Sequence, residues 1–101
     1  MGHQFLARRY RAAGGEIDLV VRRGRVIIFC EVKYRLPAGH GGMPSPAQKR
    51  RICNAAREFI VRHHISPDLE CRFDLIRISP FTWRESLPLQ HLRDAWWCDP
   101  A

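Results

Sequence analysis

The chain has 101 residues, 46% of them hydrophobic and 27% charged, with a formal net charge of +7. These proportions exclude a disordered chain and a coiled coil, and the length suits a single domain over 1–101 built on one core. The longest apolar run, VIIFC at 26–30, is far shorter than a bilayer span, and the N-terminus lacks a signal-peptide pattern, so no membrane contact and a cytoplasmic location are expected.

Taken in chain order, residues 3–11 alternate weakly and read as an edge strand ending at the AAGG turn. Residues 16–22 and 26–35 are stronger strands, joined as a hairpin around Arg23-Gly24. A two-residue loop there pairs Val21 with Val26, Leu19 with Ile28 and Ile17 with Cys30, which gives one apolar face expected to be core. The opposite face then carries Val20 across from Ile27, Asp18 across from Phe29 and Glu16 across from Glu31, followed by Lys33 and Arg35. Residues 36–46 read as a mobile Gly/Pro-rich loop. Ser45, Pro46 and Gln48 supply an N-cap, a first-turn proline and a capping-box partner for a helix ending near 63–64. Its apolar stripe is Ile52, Ala55, Ala56, Phe59, Ile60 and His63. Strands at 70–78 and 87–95 follow. Strand, helix, strand at this spacing predicts a right-handed crossover between parallel strands, hence an α/β fold with a mixed central β-sheet.

Cys30, Cys53, Cys71 and Cys98 show neither C-x-x-C spacing nor an accompanying His pair, so buried thiols are expected in place of zinc or disulfides. The histidines and tryptophans read as ordinary parts: His40 as a solvated loop residue, His63 and His64 at the negative end of their helix, and Trp83, Trp96 and Trp97 as packing or partner contacts. Asp74, within an apolar strand, is expected to pair with a nearby Arg.

Charge is unevenly placed. Twelve of the 17 Lys and Arg residues, but only three of the ten Asp and Glu, precede residue 58. A basic half suits a protein that meets a polyanion, nucleic acid above all, and equally a surface that merely keeps the protein soluble. The three acids, Glu16, Asp18 and Glu31, all fall on the hairpin face opposite the expected core face. Two carboxylates ~5 Å apart repel by roughly 3 kcal/mol at an effective dielectric near 20, so the cluster wants a cation. Lys33 and Arg35 could supply it as a cross-strand ion network. Alternatively the acids hold a hard divalent ion, Mg²⁺ or Mn²⁺, with Asp18 and Glu31 as ligands and Glu16 as an accessory acid. The chemistry would then be phosphodiester hydrolysis, with Lys33 orienting water or offsetting developing charge. Arg22, Arg23, Arg35, Lys49, Arg50 and Arg51 are the candidate nucleic-acid contacts.

Five blocks in this order, GGEIDLV, FCEVKYR, the helix from Pro46 to His64, CRFDLI and HLRDAW, resemble the YraN-like proteins of the PD-(D/E)XK nuclease superfamily, which are similar to archaeal Holliday-junction resolvases. The resemblance covers nearly the whole chain. It implies a restriction-endonuclease-like core, Asp18 and Glu31 as metal ligands, the Val32 carbonyl as a further ligand, Lys33 as the catalytic lysine and Gln48 as a supporting residue that doubles as a helix cap. It also implies DNA, with branched or repair intermediates, as substrate. One departure stands out: such proteins begin with a helix that carries another Glu, whereas no acid precedes Glu16. Either Met1 is not the natural start or the site lacks one acid, and a homodimer could cover the sheet face that this helix would occupy. The alternatives are a nuclease-fold module that binds nucleic acid without cutting it and a dimeric partner-binding domain that uses the C-terminal tryptophans.

Overall fold

The computed structural model describes residues 2–34, 43–78 and 89–98. Five strands, β1 (Gln4–Ala12), β2 (Gly15–Arg23), β3 (Val26–Tyr34), β4 (Glu70–Ile78) and β5 (Leu89–Trp96), form one sheet in sequence order, and helix α1 (Pro46–Arg62) lies between β3 and β4. β3 and β4 are parallel, and every other neighbouring pair is antiparallel. The expected α/β class, mixed sheet and crossover helix are therefore present. The expected loop at 36–46 lies outside the described residues up to position 42. No helix among the described residues is long and apolar enough to cross a membrane.

The hairpin register differs from the expected one. Leu19 pairs with Cys30, Val21 with Ile28 and Arg23 with Val26, so the two loop residues are Gly24-Arg25 and not Arg23-Gly24. The reason is the turn. Gly24 has φ +59° and occupies the first loop position, where a II′ turn needs a residue free to adopt positive φ. The slip is two residues, so β3 and β2 from Leu19 onward keep their faces while the cross-strand partners change, but Ile17, expected beside Leu19, packs with Val20 on the other side.

Helix α1 begins as its capping residues dictate. Ser45 Oγ accepts the Gln48 N–H at 3.1 Å, and Gln48 Oε1 accepts the Ser45 N–H at 3.0 Å. Ile52, Cys53, Ala55, Ala56 and Phe59 form its buried stripe. They pack on Val20, Ile27, Phe29, Phe73 and Leu75. The helix thus covers the sheet face that bears the acids, not the face expected to be core. Ile28 and Cys30 on the opposite face are buried as well, at 2% and 4% exposure. Aromatic edges knit the helix side together: Phe59 meets Tyr10 at 5.1 Å and Phe29 at 5.9 Å, and Phe73 stacks on Phe29 at 5.2 Å. Trp96 joins this core while Trp97 is exposed, and Trp83 lies outside the described residues.

β5 is fixed to β4 by a buried acid. Asp74, with no exposed surface, takes both arms of Arg72 at 2.8 and 2.9 Å and the Asp94 N–H at 2.9 Å, and His91 Nε2 lies 2.7 Å away. Burial pushes its carboxyl up, but these donors, Arg72 foremost, hold it below the usual carboxylate range. The expected Arg partner is therefore Arg72.

The cysteines depart from expectation. Cys53 in α1 and Cys98 after β5 form a disulfide with a Cα separation of 5.8 Å, while buried Cys30 and exposed Cys71 are free. Their partnership spans 45 residues and depends on the helix crossing over the sheet, which residue spacing does not disclose. Unfolding without reductant should expose two titratable thiols, and four after reduction. Closing so long a loop contributes about 4 kcal/mol in the chain-entropy account, so a Cys53→Ser, Cys98→Ser variant should unfold at markedly lower denaturant. Four thiols without reductant would contradict the bond. Gly15 gives a second check. A Cβ there would collide with the Arg51 backbone carbonyl, so Gly15→Ala should cost ~1–3 kcal/mol in equilibrium unfolding.

Candidate metal and nucleic-acid site

The acids come together at a break in strand alternation. Ala7 and Tyr10 in β1, three residues apart, both pack on the helix-side core, and so do their ladder partners Val20 and Ile17 in β2. Strict alternation would send residues three apart to opposite faces. The irregularity is taken up in β1 at Arg9, which has φ +51°, a left-handed conformation uncommon outside glycine. Asp18 occupies the same interval of β2. Just beyond the Leu19–Cys30 pair, the Val32 N–H donates to Asp18 Oδ2 at 2.7 Å. A side chain thus stands where a backbone carbonyl would continue the ladder.

Glu31 lies between Cys30 and Val32 and meets the Asp18 carboxyl. Burial first, then a hydrogen bond to Asp18 and the charge of Asp18, raise the Glu31 pKa from 4.5 to about 8; Lys33 opposes the rise and Glu16 adds a little to it. All four residues expected on one face therefore share one electrostatic neighbourhood. The close pair is Asp18 with Glu31, however, not Glu16 with Glu31, because the two-residue slip moves Glu16 along the ladder. Glu16 instead lies 3.6 Å from Arg11 Nε in an exposed ion pair.

Asp18, Glu31 and Glu16 line an open cleft of about 670 Å³, walled on its other sides by Arg11, Gln48 and Arg51. The helix start can close on the sheet here because Gly15 leaves room for the Arg51 carbonyl. The expected capping role of Gln48 is in place, through its side-chain Oε1, and the same side chain borders the cleft. Lys33 sits beside the cleft, half-buried. At Val32 the group engaged is the N–H.

The expected nucleic-acid contacts divide between the two ends of α1. Lys49, Arg50 and Arg51 fall in its first turns, and Arg51 lines the cleft with the carboxylates. Arg22 lines a second cleft of about 450 Å³ with Arg25, His63 and His64 at the far end, and its Nε donates to the Gly24 carbonyl at 2.8 Å. Arg23 is exposed beside that turn, and Arg35 lies outside the described residues. Arg11 and Arg25 were not anticipated. Registering β1 against β2 would have found Arg11, since it faces Glu16, but β1 alternates too weakly to be registered from sequence.

Glu31, pushed up to about 8 beside the Asp18 carboxyl, forms with it a donor set short of positive charge. A hard divalent ion accepts such oxygens together with a carbonyl and several waters, so Asp18 and Glu31 fit Mg²⁺ or Mn²⁺. Among the described residues no group of three His, Cys, Asp or Glu side chains is gathered for a metal.

A pH dependence follows. Unfolded Glu31 ionises near 4.5 and the folded residue near 8, so in that window the folded state binds more protons and stability falls as pH rises. Glu31→Gln should therefore gain in Tm over the parent between pH 5 and pH 8. Mg²⁺ or Mn²⁺ should raise the parent's Tm more at the upper pH and leave Glu31→Gln unmoved. A constant Tm difference across that range would refute the raised Glu31 pKa.

Residues 1–78 match the uncharacterised protein family UPF0102. Relatives described as UPF0102 proteins include one from Methylorubrum extorquens (strain PA1), 44% identical over 88 residues, covering 86% of this chain and 69% of the relative. One from Methylobacterium nodulans is 47% identical over 87 residues, 85% of this chain and 67% of the relative. Another, from Parvibaculum lavamentivorans, is 41% identical over 99 residues, 94% of this chain and 68% of the relative. The chain belongs to the uncharacterised protein family UPF0102.

Proposed function

We propose that this protein is a metal-dependent endonuclease of the PD-(D/E)XK superfamily that hydrolyses DNA phosphodiester bonds in the cytoplasm, with branched or repair intermediates among its substrates and a homodimer as its working assembly. The observation that carries the reading is the meeting of Asp18 and Glu31 in one open cleft, with Lys33 acting on Glu31 and Arg11 and Arg51 at the rim. An ion-pair network alone does not account for it, because burial and the neighbouring Asp18 carboxyl hold Glu31 up to about 8 despite the lysine.

Asp18, Glu31 and the Val32 carbonyl would hold Mg²⁺ or Mn²⁺. When bound, such an ion polarises a phosphate oxygen and lowers the pKa of a water. The Lys33 ammonium offsets the negative charge that grows on the phosphate and can hold the attacking water by hydrogen bonding. Arg11 and Arg51 draw the backbone towards the cleft, and the wider basic surface steers the polyanion in a salt-dependent way.

One feature favours a second reading, a nucleic-acid-binding module without catalysis: Asp18 Oδ2 is already engaged by the Val32 N–H, and Glu16 by Arg11. Cleavage assays on linear, single-stranded and branched DNA with either metal separate the two. Asp18→Asn and Lys33→Ala should each lower the rate by roughly 10²-fold or more while leaving Tm nearly unchanged. Salt-sensitive DNA binding with no cleavage and no metal-dependent rise in Tm would select the module.

A further inference from the structure

Lys33 has an unexpected neighbour. In the parallel β3–β4 ladder it stands directly beside Arg77, just as Glu31 stands beside Leu75. Adjacent strands run ~4.8 Å apart, so two cations project from neighbouring positions on the helix-side face. Like charges in that relation repel. Among the described residues no carboxylate lies within ion-pair distance of either. Arg77 Nε is buried and has no hydrogen-bond partner, although a buried donor left unpaired is costly. Arg72, on the same strand, donates from Nε and Nη2 to Asp74, so Arg77 is not simply following the habit of β4.

Position adds a second indication. β3 and β4 are the parallel pair of this sheet, flanked on both sides by antiparallel strands. Lys33 and Arg77 lie at the carboxyl ends of these strands, where open α/β sheets receive their ligands. A guanidinium fork beside an ammonium suits a tetrahedral oxyanion, since the fork offers parallel donors and the ammonium a point charge.

We propose that Lys33 and Arg77 together seat one phosphate group of the nucleic-acid backbone, beside the Asp18–Glu31 pair. This rests on the nucleic-acid reading above and extends it by naming Arg77 as a substrate-binding residue. The seat gives the buried Nε its missing acceptor and lets one anion relieve the repulsion between the two cations.

Inorganic phosphate titrated into the isotope-labelled full chain, without metal, should shift the Arg77 Nε–H resonance saturably. Affinity should fall by at least about tenfold in Arg77→Gln and in Lys33→Gln and recover in part in Arg77→Lys, as loss of a charge-assisted hydrogen bond requires. A short DNA duplex should displace the phosphate. An unmoved Arg77 resonance, unchanged affinity in folded Arg77→Gln, or phosphate that duplex fails to displace overturns the seat, even if the parent protein cuts DNA. If Arg77→Gln does not fold, the parent's resonance decides. Saturable, displaceable binding at Arg77 upholds the seat even when no DNA is cut, and in that event only the hydrolytic reading is lost.

Discussion

The hydrogen bond from the Val32 N–H to Asp18 Oδ2 holds the candidate site open. A regular antiparallel ladder would satisfy that donor with a carbonyl of β2 and bring the strands together. Here an ionisable side chain does so, and its carboxyl is thereby fixed against Glu31. The break in alternation, shared by Ala7 and Tyr10 in β1 and by Ile17 and Val20 in β2, makes the exchange possible without burying an unpaired backbone group. Breaks of this kind cost stability and are found where they re-aim a side chain.

Around that point the molecule separates stability from chemistry. Phe29, Phe59, Phe73 and Leu75 pack helix against sheet, and the Asp74 network ties β5 to β4 through donors from Arg72 and the Asp94 backbone. The groups left unmatched gather at the other end of the parallel pair: Glu31 with its retained proton, Lys33, and Arg77 with its orphan Nε. Both sets are polar groups in a sheet. Only one of them is closed.

Much of the fold was legible. β4 was readable to the residue, α1 was delimited by Ser45, Pro46 and Gln48, and the parity of the hairpin followed from alternation from Leu19 onward, because a slip of two preserves faces, whereas the break at Asp18 carried Ile17 to the helix side. What escaped was partnership. The turn conformation at Gly24 chose the register, and with it the pairing of Asp18 rather than Glu16 with Glu31. The covered face was misjudged because Val20, Ile27 and Phe29 are as apolar as the residues behind them, and hydrophobicity cannot say on which side a crossover helix will land. Cys53 and Cys98 looked unrelated since nothing local links them.

The sequence by itself determined that Glu31 and Lys33 would share a side of β3, because side-chain direction in a strand repeats every two residues, while the meeting of Asp18 with Glu31 came from the register and the break in β2. Tertiary structure alone decided that α1 would roof that side, that Gly15 would admit its backbone, and that Arg77 would come to rest beside Lys33. Those outcomes depend on contacts between segments tens of residues apart, and such contacts are set by packing the whole chain.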